Sequence, residues 1–261
     1  PICFSTKTKE AEIIMFVTAA SFLLLFAPGV RASYDEWPGG QEVWEADNED
    51  AFADNLSGLY YEAGPESSGK EDIVWTVQNK PSVLYQLKLN TASSMWEPVV
   101  AEGTKLYYPD GEGDPDAEDV TKAEPNSPYL YVCTEQNNEV KDSRLSVLLF
   151  KDEARADPAS ISPSLSALQE WDLTEDIKTV DNNLGLEAIT WVPDYYLVRN
   201  GLVDESTDEL YDPEMYPDHG SGLFFVGLED NGKIYAYALT HDSALLASSS
   251  SSSGRNTTTP P

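Results

Sequence analysis

The chain has 261 residues, enough for one large domain or two small ones. Its 46 acidic residues against 16 basic ones leave a formal net charge of −30, which argues against nucleic acid or anionic membrane as a partner and favours cations. A hydrophobic content of 41%, with 14 Tyr and 6 Trp, supports a buried core built from strands rather than helices.

The first segment reads as a leader. Met15 opens an apolar run from Phe16 to Ala27, Pro28-Gly29 breaks it, and Val30-Arg31-Ala32 supplies a small-residue cleavage pattern before Ser33. The run is too short for a comfortable membrane span. Residues 1–32 are therefore set apart as leader and signal peptide, with a secreted, extracellular location as the expectation and a membrane anchor as the alternative. Residues 33–53 form an acidic lead-in, broken at Pro38-Gly39-Gly40 and holding one expected strand at 42–45.

Three copies of one strand pattern follow, spaced by roughly 60 residues. The first runs through Asn55-Leu56-Ser57-Gly58-Leu59, then Ile73 to Asn79, then Ser82 to Leu87. The second runs through Asp116 to Thr121, then Leu130 to Asn137, then Ser146 to Phe150. The third runs through Leu186 to Trp191, then Leu223 to Asp230, then Lys233 to Leu239. Each copy opens on a polar turn, passes into an apolar strand, and ends its second strand in a Glu, Gln or Asn cluster. Between the second and third copies, 157–170 is expected to hold a short helix, and Trp171-Asp172-Leu173 an extra strand. The third copy carries a long insert, 193–221. Residues 241–261, with the Ser248 to Ser253 run, are expected to be a disordered tail.

Repeats of this kind are how β-propeller blades are written, with long inserts on one face. The expected fold is all-β: about three recognisable blades, residues 54–240, of a larger five- or six-bladed propeller. Closure takes about four blades or more. An open arc would leave edges and blade faces free for oligomerisation.

The chemistry is sought at two repeated positions. Ser57, Glu118 and Glu187 align at the entry of each first strand, where innermost strands point into a central channel. Carboxylates brought together there need a cation or a shared proton. The second position is the end of each second strand: Gln78-Asn79, Glu135-Gln136-Asn137-Asn138 and Glu229-Asp230-Asn231-Gly232. Asp230-Asn231-Gly232 is a hairpin signal, whereas Glu135 and Glu229 can face the channel. The run Asp110 to Asp119 is not an EF-hand, since Pro115 and Thr121 stand where that loop requires Gly and Glu. Only its end, Asp116 and Glu118, joins the candidate ligands. The expected metal set is Asp116, Glu118, Glu135 and Glu187, with Ca2+ as the ion.

Other chemistries are poorly supplied. The two His, His219 and His241, leave only an Asp218/His219/Ser221 cluster to imagine as a triad. Zinc spacings, a P-loop and a dinucleotide fingerprint are absent from the sequence. Cys133, mid-strand among Tyr131, Val132 and Thr134, is expected to be a small core residue.

The phrases Asn55-Leu56-Ser57-Gly58-Leu59, Asp116-Ala117-Glu118-Asp119-Val120 and Gly185-Leu186-Glu187-Ala188-Ile189-Thr190-Trp191 resemble the strand entries of the phytase-like β-propeller proteins, the "esterase-like activity of phytase" type. The resemblance covers about residues 54–240. Asp119 stands where that family usually has Gly. The resemblance implies a secreted propeller associated with Ca2+ and carrying possible phosphoesterase activity, reaching Glu118, Glu187 and Glu135 by residue.

Two functions are therefore expected. One is a secreted acidic binding or interaction module with structural calcium, its small-molecule or surface ligand unidentified. The other is a calcium-dependent extracellular phosphoric-ester hydrolase. Neither needs nucleic acid, nor a membrane once the signal is removed.

Overall fold

A computed structural model describes residues 2–3, 52, 55–64, 71–124, 127–151, 161–177 and 183–242. The apolar run of the leader, the strand expected at 42–45 and the Ser/Thr-rich tail from 243 onward lie outside the described residues. No helix among the described residues is long and apolar enough to cross a membrane.

The fold is all-β, and three mainly antiparallel sheets carry it. Sheet 1 begins with β2 (Leu56–Glu62), β3 (Ile73–Gln78) and β4 (Val83–Asn90). It adds two strands the repeat pattern does not show: β5 (Met95–Pro98), which folds back on the end of β4, and β6 (Thr104–Tyr107), which pairs with its start. Sheet 2 is β7 (Pro115–Thr121), β8 (Tyr129–Asn137) and β9 (Asp142–Lys151). The helix expected within 157–170 is not found from residue 161 onward. That stretch forms β10 (Ser164–Ser166), parallel to β6, and β11 (Gln169–Asp172), which pairs with β9 as the expected extra strand. Sheet 3 is β12 (Leu186–Pro193), β15 (Gly222–Leu228) and β16 (Lys233–Tyr237). Ile2–Cys3, placed by sequence in the leader, form a short strand β1 on the free edge of β16.

Sheet 2 lies between the other two, which explains its composition. Leu130, Val132, Leu148 and Phe150 face Ile73, Trp75, Val77 and Leu84 of sheet 1. Their chain neighbours Tyr131, Cys133, Val147 and Leu149 face Leu186, Ile189, Phe224 and Val226 of sheet 3. Alternate residues thus point to two different cores, so the strand reads as continuously apolar. Each such side chain, taken fully out of water, contributes about 1.5–3 kcal/mol. Cys133 is fully buried, as its position predicts.

The insert folds as α1 (Asp194–Arg199), the β13 (Val203–Asp204)–β14 (Glu209–Leu210) hairpin and a 3-10 turn at Pro213–Met215. It packs Leu197 and Tyr211 onto Leu223 and Ala236, on the face of sheet 3 turned away from sheet 2. The opposite outer face, on sheet 1, leaves Leu59 and Tyr61 exposed. Among the described residues no closed barrel or ring is formed.

Candidate metal centre

The three first strands share one local irregularity. On β2, three steps from Leu56 to Leu59 oppose two on β3, so Ser57 and Gly58 fall in a bulge. On β7, Glu118 is the extra residue between Ala117 and Asp119. On β12, Glu187 is the extra residue between Leu186 and Ala188. Asp116 and Glu135 lie in the neighbouring irregular steps of the β7–β8 ladder. A bulge takes a side chain out of the up-down alternation and re-aims it. Here it turns the polar residues of three strands toward one place, while the apolar residues that follow resume the two cores.

The four expected ligands meet there. Carboxylate oxygens of Asp116, Glu118 and Glu135 lie within 4.8 Å of one another, and so do those of Glu135, Glu187 and Glu229. Glu135 belongs to both groups. Asp116, Glu118 and Glu135 are buried, whereas Glu187 and Glu229 are exposed. Glu229 was visible in sequence only as the carboxylate at the end of the third copy's second strand. It is drawn in because its N–H donates to the Gly185 carbonyl (2.9 Å), beside Glu187.

Each buried carboxylate is held from a different sheet. Ser57 Oγ donates to Glu118 Oε2 (2.9 Å) and Asn79 Nδ2 to Glu118 Oε1 (3.2 Å), both from sheet 1. Gln136 Nε2 and Asn138 Nδ2 donate to the two oxygens of Asp116 (2.7 and 3.2 Å). The Gly185 N–H donates to Glu135 Oε1 (2.7 Å) from the entry to sheet 3. A Cβ on Gly185 would stand 2.6 Å from Glu135 Cγ, so only glycine allows that approach. Asp119, where the resembled family has Gly, accepts from the Ile189 N–H (2.9 Å) and so ties sheet 2 to sheet 3.

The charge balance is unfavourable as it stands. Burial pushes Glu118 up to about 7, against the pull of Ser57 and Asn79, with Asp116 and Glu135 adding repulsion. Partial burial raises Glu187 to about 7 as well, and Glu118, Glu135, Glu229 and Asp116 repel it further. Burial also raises Asp116 and Glu135. A divalent cation would offset the burial and the mutual repulsion that raise these carboxyls. The donor set is entirely oxygen, of the kind that hard divalent cations take. Asn79 fits the same demand: its Oδ1 is buried and has no hydrogen-bond partner among the described residues.

The triad imagined at Asp218, His219 and Ser221 is not formed. His219 Nδ1–H donates to the Tyr216 carbonyl, and Nε2 lies 3.1 Å from Asp194 Oδ2 and 3.1 Å from the Tyr211 hydroxyl. Ser221 Oγ donates instead to Glu124. These bonds pin the insert to itself and to sheet 2. The acidic run preceding Asp116 behaves as a solvated loop, with Asp110 and Glu112 exposed.

Comparison with protein families, with curated proteins and with solved structures finds no match for this chain.

Proposed function

We propose that this chain is a cation-binding, acidic β-propeller-type module of the phytase-like kind, secreted, in which Ca2+ ties the blades of sheets 2 and 3 together at their entry strands. The carrying observation is the convergence of Asp116, Glu118, Glu135 and Glu187, from three strands of two sheets, with Glu229 beside them. The three sheets with bulged first strands support the blade reading, and the strand-entry phrases support the family. Bound Ca2+ would neutralise the carboxylates and bridge sheet 2 to sheet 3. The role is structural: the module presents its outer faces to a small-molecule or surface ligand. Calorimetric titration of Ca2+ into the chain tests this. Expected is saturable binding that Glu118→Gln and Glu187→Gln each weaken at least about tenfold, the loss of a charge-assisted ligand. Binding unaffected by both substitutions would overturn it.

A second reading, a calcium-dependent hydrolase of phosphoric esters, is favoured by one feature. A buried carboxyl that burial makes more basic, as Glu118 is, would accept a proton from water where the other carboxylates hold the ion. When bound, the metal would supply a water of lowered pKa and charge for an anionic substrate. Turnover of a model phosphate ester that chelator abolishes, Ca2+ restores and Glu118→Gln removes would favour this reading. Absence of turnover with Ca2+ bound would leave the structural role.

A further inference from the structure

Beyond β16 the chain turns back across sheet 2. The Thr240 carbonyl accepts from Trp171 Nε1 (2.9 Å) and from Gln169 Nε2 (2.9 Å), both on β11. Gln169 Oε1 accepts from the Asp242 N–H (3.2 Å). The His241 N–H donates to the Asp218 carbonyl (2.9 Å), in the loop that closes the insert. One short segment therefore joins sheet 2, sheet 3 and the insert. The sequence places His241 at the start of a disordered tail, but the residue is only 8% exposed.

That ring is enclosed by aromatics: Trp171 at 5.1 Å between centroids, Tyr131 at 5.8 Å and Phe224 at 6.3 Å. Nε2 lies 2.8 Å from the Tyr131 hydroxyl. Nδ1 is buried and has no hydrogen-bond partner among the described residues. The neutral ring accommodates this as the Nε2–H tautomer, which donates to the Tyr131 oxygen and leaves only a lone pair at Nδ1. A second proton would put a full charge among three rings, where burial outweighs the help that the Asp218 and Leu239 carbonyls give the charged form.

We propose that His241 is an acid-released latch: neutral, it fastens the 239–242 segment over the outer edges of sheets 2 and 3, and protonation ejects it. Among the described residues the facing groups supply backbone carbonyls, of Asp218 and Leu239, but no carboxylate as counter-charge. β8 offers the hydroxyl of Tyr131, with Tyr129 on the same face, while β11 and β15 offer Trp171 and Phe224. The insert loop offers Gly220 and the Asp218 carbonyl, which the His241 N–H already uses, and His219 adds repulsion. Glu124 takes the Ser221 hydroxyl, and the next residue, Asp242, is exposed. Burial accordingly holds the imidazole below its ordinary 6.5. Release would uncover Tyr131, Trp171 and Phe224 in mildly acidic surroundings.

Hydrogen exchange on the full chain at about pH 7.5 and about pH 5, corrected for intrinsic rates, tests the latch. Expected is a loss of protection of about tenfold or more in amides 237–242 at the lower pH, with β3 and β4 unchanged, and no such loss in His241→Phe. Equal loss in both proteins, or none in the native chain, would overturn the proposal. Should His241→Phe not fold, the native chain still decides. With only His219 and His241 present, ring NMR can follow each, His241 being identified by its contacts with Trp171. Latch amides that stay protected after that ring has charged would overturn the proposal as well.

Discussion

Glu118 shows how much of this protein's stability is tied to one side chain. Its carboxyl is held near 7 in the fold against an ordinary 4.5. Between those values the folded chain binds more protons than the unfolded one, so stability falls as pH rises. The contribution is intact below about 4.5 and lost as pH passes about 7. Expected, in chelator, is a denaturation midpoint that drops between pH 5 and pH 8, and a shallower drop in Glu118→Gln, with Glu187 supplying much of what remains. His241 acts in the opposite sense, because its folded pKa is lowered: its contribution is present above 6.5 and lost as pH falls below it. A different residue carries the interface of sheets 1 and 2. Lys122 is buried against Glu62 at 3.2 Å, over the Trp75 ring, whose Nε1 also donates to Glu62. Lys122→Ala takes the ammonium away from a buried carboxylate and should cost about 3–5 kcal/mol in chemical denaturation. A cost under 1 kcal/mol would show that water replaces the ammonium.

The strand entries are where elements become a site. Regular alternation would send Glu118 and Glu187 to the same faces as the apolar residues two places along, and the bulges prevent this. Gly185 has a matching role, since its missing side chain admits Glu135. Gly185→Ala should displace that carboxylate and weaken Ca2+ binding at least about tenfold while the far ends of the strands keep their exchange protection. Unchanged binding would mean Glu135 is not a ligand. Much of this arrangement was legible in the sequence, because the three copies align Ser57, Glu118 and Glu187 and each bulge falls at that position. Glu135 was legible as the carboxylate of the polar cluster that ends the second copy's second strand. Glu229 was harder to place: its neighbours Asp230-Asn231-Gly232 announce a turn, and only the Gly185 carbonyl brings its backbone to the cluster. Strands β5, β6 and β10 were hidden, because their register depends on β4 and on a return from beyond sheet 2, not on local periodicity. His241 was missed for a similar reason: its burial comes from three rings distant in sequence.

At the scale of the molecule, the middle sheet is finished and the outer two are not. Sheet 2 has apolar neighbours on both faces, while sheet 1 shows Leu59 and Tyr61, and sheet 3 shows Ile234, to solvent. The net charge of −30 opposes drawing these sheets together, most of all where five carboxylates gather at their inner ends. A cation at that point would offset the repulsion where it is strongest and make the three sheets one cooperative unit. Thermal unfolding of the full chain at pH 8, in chelator and with Ca2+ in excess, measures this directly. Expected is one transition that Ca2+ moves upward, by the equivalent of about 2.7 kcal/mol at a hundredfold excess over the dissociation constant, with most of the gain lost in Glu118→Gln. A cooperative transition at the same temperature with and without Ca2+ would contradict a cation at the centre of this fold.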